Sequence, residues 1–216
     1  MVPVCAAHAF SIDEIMLHAE QKSWYAGKNL QAGDFFTYGI CDGTAVARTD
    51  CYTVRMDFYA LMESGNRNIW MVQAEIHDGD QTTPHILAVD ASSLDIKTID
   101  FVAEPYADSI ERTVFFIGEF ASEHSPGQLS IGSTWGELAS LDPNSELTVM
   151  SRDYYSIPAG KDDIDVYLVQ HTLFDTSSFA IHRDIPLPVS GILYDPYWPL
   201  PEPRVLFVFE LVDTNL

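Results

Sequence analysis

Two histidines and two aspartates fall within nine residues in the segment 77–85, HDGDQTTPH. If the chain reverses at residues 80–82, His77 and His85 face each other across a hairpin, where paired Cβ atoms lie about 5 Å apart. Asp78 and Asp80 would then add oxygen ligands, and a two-histidine, carboxylate set suits a transition metal. The alternative is a solvated hairpin tip. HDGDQ and the later KDDIDVY at 161–167 share an Asp-x-Asp spacing. Neither has the twelve-residue loop and terminal Glu of an EF-hand, so they read as charged turns or as weak calcium sites on an acidic surface. No other cofactor is implied.

Nucleophile motifs are missing. GSTWG at 132–136 lacks the Gly-x-Ser-x-Gly spacing of a nucleophile elbow. There is no phosphate-cradling loop with Lys and no His-Glu-x-x-His, and His124 beside Ser125 is adjacency in sequence alone. The chain therefore offers no catalytic residue to assign. Its other chemistry-bearing groups are aromatic: Phe36, Tyr38, Trp70, Trp135 and Tyr167 fall on predicted strands. Inward rings on a curved sheet either fill a core or line an apolar cavity that binds a ligand.

The elements that would position these residues repeat. NLQAGDFFTY at 29–38 lies against QLSIGSTWGE at 128–137, matching Leu30 with Leu129, Gly33 with Gly132 and Phe36 with Trp135. WMVQAEI at 70–76 lies against YLVQHTL at 167–173, and Leu94-Asp95-Ile96 against Leu187-Pro188-Val189. The three matches occur in order. Each glycine permits a turn, and the aromatic residues after it suit entry into a half-buried strand. Further strands are expected at 51–62, 68–77, 84–90, 146–157, 164–174, 177–184, 189–195 and 204–212, with an Asp78-Gly79 hairpin turn. Asp108-Ser109-Ile110-Glu111 has the form of a capping box, followed by Ile110, Val114, Ile117 and Ala121 at helical spacing up to Ser125-Pro126-Gly127. A weaker helical pattern starts at Ser11. Six prolines between 186 and 203 predict an extended, ladder-poor passage around Trp198.

These readings make a mainly β (α+β) fold: two duplicated antiparallel β-meander units, as curved sheets or a half-barrel, joined by one α-helix. The expected division is a signal-peptide remnant at 1–9, a first β unit at 10–104, a connecting helix at 105–127 and a second β unit at 128–216, the units being separate or fused.

Composition narrows the partners. The 216 residues carry 11 Lys plus Arg against 32 Asp plus Glu, a formal charge of −21. Such a surface repels a phosphate backbone, which argues against nucleic acid as a partner. No run reaches the roughly 18 apolar residues of a spanning helix. Ala7-His8-Ala9 has the small-x-small form of a signal-peptidase site, although a basic flank and a full apolar stretch are missing. Of three cysteines, Cys5 lies in that segment, leaving Cys41 and Cys51 as a pair. A bridge between them would close a short loop and contribute about 3 kcal/mol. Two free thiols are the alternative.

AGKNLQAGDFFTYGICD, PYADSIERT, FASEHSPGQLSIGSTWGEL and PLPVSGILYDP resemble a group of uncharacterised secreted proteins of ammonia-oxidising archaea. That resemblance implies an extracellular or cell-envelope location and transfers no activity. The Gly-x-x-aromatic strand entry, used twice, is also distantly similar to the curved β half-barrels of envelope lipid-carrier lipoproteins. The expected function is non-catalytic binding of an apolar or small ligand in a β concavity. An extracellular interaction or assembly protein with a protein partner is the alternative, and a metal-dependent enzyme at His77 and His85 the third.

Overall fold

The computed structural model describes residues 23–43, 51–98, 104–136, 146–157, 163–171, 177–194 and 204–216. Expectations for the N-terminal segment with Cys5, for the helix from Ser11, and for Trp198 with most of its proline passage lie outside these residues. Thirteen strands are present among them: β1 (Ser23–Trp24), β2 (Phe35–Asp42), β3 (Cys51–Ser64), β4 (Arg67–Asp78), β5 (Gln81–Asp90), β6 (Ile96–Thr98), β7 (Gly127–Gln128), β8 (Thr134–Trp135), β9 (Leu147–Tyr155), β10 (Ile164–His171), β11 (Ser178–Ile181), β12 (Ser190–Tyr194) and β13 (Val205–Thr214). Eleven of them form one sheet in the order β6-β5-β4-β3-β2-β13-β12-β11-β10-β9-β8. Every pairing in it is antiparallel. The sheet is mainly β in the sense expected, and it ends at β6 and β8 rather than closing into a barrel.

The last strand joins the halves. β13 pairs with β2, setting Phe209 opposite Ile40 and Leu211 opposite Tyr38, so the C-terminal half of the sheet continues directly into the N-terminal half. Alternation then decides which side is core. On β4, Trp70, Val72, Ala74 and Ile76 are buried while Gln73 is exposed, the period-2 signature of a sheet with one covered face. The covered face holds Phe36, Tyr38, Met56, Phe58, Val72, Leu87, Phe179, Phe209 and Leu211. Phe58 sits edge-to-face with both Phe36 (5.9 Å) and Trp70 (5.9 Å), arrangements that ring quadrupoles favour. β1 and β7 make a separate two-stranded ladder, on which Trp24 stacks against Trp135 at 5.7 Å.

One register serves both halves. The Gly33 amide donates to Phe58 O (2.8 Å) and the Phe58 amide to Asp34 O (2.9 Å); likewise the Gly132 amide donates to Val149 O (2.8 Å) and the Val149 amide to Ser133 O (2.9 Å). Both glycines have positive φ, +102° and +85°. Phe36 faces Met56 across its ladder as Trp135 faces Leu147. Immediately after Phe58 the β3–β4 ladder skips Tyr59, and immediately after Val149 the β9–β10 ladder skips Met150. Opposite the two bulges stand Val72 and Val169, the residues that align in WMVQ and YLVQ.

The helix differs from its expected form. Helix α1 spans Glu104–Ile110, then widens to a π turn over Glu111–Phe115 and tightens to a 3₁₀ turn over Phe116–Glu119. Asp108 is therefore an interior residue, not an N-cap. Its carboxylate accepts from Arg112 Nε one turn later at 2.9 Å. The Thr113 hydroxyl donates to the Ser109 carbonyl at 2.6 Å, competing for the acceptor that an α turn would reserve for the Thr113 amide. Ile110, Val114, Ile117 and Ala121 are all buried, as their spacing predicts. The segment crosses the covered face, from Tyr106 against Tyr52 of β3 to Phe116 against Phe179 of β11. No helix among the described residues is long and apolar enough to cross a membrane.

Cys41 and Cys51 are bridged, with Cα atoms 4.1 Å apart. They stand directly opposite each other at the β2–β3 ladder end.

Candidate functional site

The five aromatic residues read as ligand contacts are packed in the core. Phe36 and Tyr38 are fully buried, and Trp70, Trp135 and Tyr167 nearly so. Three of their polar tips are occupied: the Tyr38 hydroxyl donates to Pro188 O (2.7 Å), Trp135 Nε1 to Gln128 O (3.0 Å), and Arg183 donates to the Tyr167 hydroxyl (3.3 Å). Burial without a charged partner pushes the Tyr38 phenol well up, so it remains a donor.

The metal arrangement does not form. The chain reverses at Gly79 and Asp80 rather than at 80–82, which sets His77 opposite Thr82 and His85 opposite Ala74. His85 then shares the buried alternation of Leu87 and Val89, whereas His77 falls on the other face with Glu75. The His77 ring contacts Thr82 Oγ1 (3.0 Å) and Glu75 (3.5 Å), and the Asp78 carboxylate accepts from the Tyr106 hydroxyl (2.7 Å). Among the described residues no three His, Cys, Asp or Glu side chains come together to hold a metal. In the second acidic stretch Asp165 pairs with Arg152, whose guanidinium holds the carboxyl below its ordinary range, and Asp163 accepts from Ser156.

A cleft of about 340 Å³ lies elsewhere, on the opposite face of β9–β13 from the core. Alternation explains the two-sided use of these strands. Phe179 and Ile181 of β11 point into the core, which leaves Ser178 and Ala180 to the other side. A cross-strand row runs Leu168, Ala180, Ser190, Glu210, and a second runs Ser178, Ile192, Val208. In the first row the small Ala180 and Ser190 leave a hollow between Leu168 and Glu210, and in the second the small Ser178 extends it beside Ile192. Val166 and Leu168 complete the apolar floor, and Asp153, Tyr155 and Glu210 supply polar groups.

Tyr155 closes one side. It ends β9, yet its hydroxyl donates to the Glu210 carboxylate on β13 at 3.4 Å. Burial pushes the Tyr155 phenol up, the Ser190 hydroxyl opposes that shift and Glu210 adds to it, so the group stays protonated as a donor. Three apolar groups surround the opening with substantial exposure: Tyr154 at 74%, Val208 at 39% and Ile192 at 36%. The residues of β11 that make the hollow carried a sequence signal: Ser178-Phe179-Ala180-Ile181 alternates small with large where a one-faced strand would alternate polar with apolar.

No protein-family model matches the chain, and no curated protein matches it. A solved structure, described as a "putative exported protein with YmcC-like fold" from Bacteroides fragilis, is a distant structural neighbour at 9% identity and a TM-score of 0.37. The alignment covers 90% of this chain and 99% of that one.

Proposed function

We propose that this is a non-catalytic extracellular or envelope protein that binds a small, largely apolar ligand in the cleft on β9–β13. The observation that carries the reading is an apolar hollow on the side of the sheet that the core does not use, rimmed by exposed Tyr154, Ile192 and Val208. A volume of about 340 Å³ falls at the lower end of the usual range for small-molecule sites. The Cys41–Cys51 bridge supports an oxidising compartment. Native mass spectrometry of the secreted protein, compared with its denatured mass, tests the reading. An apolar adduct retained by the wild type and lost in Ile192→Glu is expected; an adduct that survives the substitution places the ligand elsewhere, and a bare native mass removes a tightly held one.

The fold is further read as an internal duplication, β2–β6 matching β8–β12. Shared glycine hydrogen bonds and bulges at equivalent places support it. In that correspondence Met71, Ala88 and Ile86 stand where Leu168, Ala180 and Ser178 line the cleft. This favours a second reading for the first half, as a protein-contact face: Met62 and Ile86 are 53% and 46% exposed there.

A further inference from the structure

The cleft has one sign of charge. Every ionised side chain among the described residues lining it is a carboxylate, Asp153 or Glu210, and none is a Lys, Arg or His. The chain around it carries a net charge of −21, so the surrounding potential reinforces the local one. Glu210 stands at the end of the row Leu168, Ala180, Ser190, where the apolar floor meets solvent. Its contact with the Tyr155 hydroxyl, 3.4 Å, is long for an O–H donor and leaves the carboxylate with acceptor capacity to spare.

From this geometry we infer that the ligand is an amphipathic organic cation, its alkyl or aryl body on the Val166, Leu168, Ala180 floor and its ammonium head against Glu210. The inference rests on the cleft being the binding site. An anionic amphiphile would set its head beside two carboxylates, and a neutral one would leave them without a counter-charge.

Decylammonium, decanol and decanoate share a chain and differ in head group, so their affinities separate the floor from the rim. Isothermal titration at neutral pH and 150 mM salt, where the Debye length is about 8 Å, suppresses diffuse attraction. Decylammonium is expected to bind about tenfold more tightly than decanol and decanoate most weakly. Glu210→Gln should lower decylammonium affinity about fivefold and leave decanol unchanged, the scale of a partly exposed charge-assisted contact. Glu123→Gln, an exposed carboxylate outside the cleft, should change neither. Equal affinity for the three ligands, or an equal loss in the Glu123 variant, overturns the inference while the apolar-binding reading stands. Failure of all three to bind, with wild type and Ile192→Glu alike, overturns both.

Discussion

The Tyr155 hydroxyl reaches the Glu210 carboxylate at 3.4 Å although β10, β11 and β12 lie between their strands. Four strand spacings in a flat sheet would separate the two backbones by about 19 Å, beyond the combined reach of both side chains. The end of β9 stays paired with β10 up to Tyr155 and Ile164, so the sheet itself must curve strongly between β9 and β13, with the cleft on the side where Tyr155 and Glu210 meet. Strand twist and the bulge at Met150 both act in this direction, since a bulge bends its strand and increases local twist.

The disulfide should be the one oxidised pair. With the Cys41–Cys51 loop closed across ten positions, the chain-entropy model assigns the bridge about 3 kcal/mol. Urea denaturation with and without reductant should show that difference, and thiol labelling of the unreduced, unfolded chain should modify Cys5 alone. Labelling of two or three cysteines contradicts the pairing.

Gly33→Ala and Gly132→Ala should each cost about 1–2 kcal/mol, and nearly the same amount. Both positions have positive φ, and a Cβ at either would meet nothing within 4 Å, so the penalty is conformational alone. Urea midpoints of the single and double variants measure it. Unequal costs would show that the two strand entries are not equivalent in energy.

Asp90 ties down the turn after β5. It accepts from the Ser92 hydroxyl (2.7 Å) and amide (3.0 Å) and from the Ser93 amide (3.3 Å). Burial pushes its carboxyl up, but these bonds and Lys97 outweigh that and leave it below the ordinary aspartate range. A carboxyl whose pKa is lower folded than unfolded contributes stability in full above the unfolded value, near 4, and loses it as pH falls through the folded one. Asp90→Asn should cost about 1–2 kcal/mol at pH 7, and the cost should shrink between pH 4 and pH 2 in urea denaturation series. A cost independent of pH would show that the carboxylate charge contributes nothing.

His85→Leu should raise stability at pH 7 by about 1 kcal/mol. The ring is buried beside Ala74, and among the described residues neither Nδ1 nor Nε2 has a hydrogen-bond partner. A leucine of similar bulk removes two orphaned polar atoms. Thermal unfolding compares the two proteins, and a marked loss would mean that the imidazole makes an interaction worth more than its burial costs.

Much of the architecture was readable because it rests on local chemistry. Gly33 and Gly132 announce strand entries through their turns, and Val72 and Val169, in the matching stretches WMVQ and YLVQ, each stand opposite a bulge. Ile110, Val114, Ile117 and Ala121 gave the buried face of the helical segment, but not its π and 3₁₀ turns, which depend on the Thr113 side chain competing for a backbone carbonyl. The histidine pair failed on a small displacement of the turn, enough to give His77 and His85 new partners on opposite faces. The cleft left only the small-large alternation of Ser178-Phe179-Ala180-Ile181 as a trace: Ser190 and Glu210 are unremarkable singly, and only antiparallel pairing sets them in one row with Ala180.

Because the bridge holds Cys41 across from Cys51, the ladder between β2 and β3 is pinned at its end whatever chain connects them. Asp42 and Gly43 still belong to the sheet, held to Phe207 and Leu206 of β13, so it is the connection beyond Gly43 that is released from setting the register. That makes it a practical graft point for an epitope or fluorophore, provided the graft leaves Asp42 and Gly43 in place against β13.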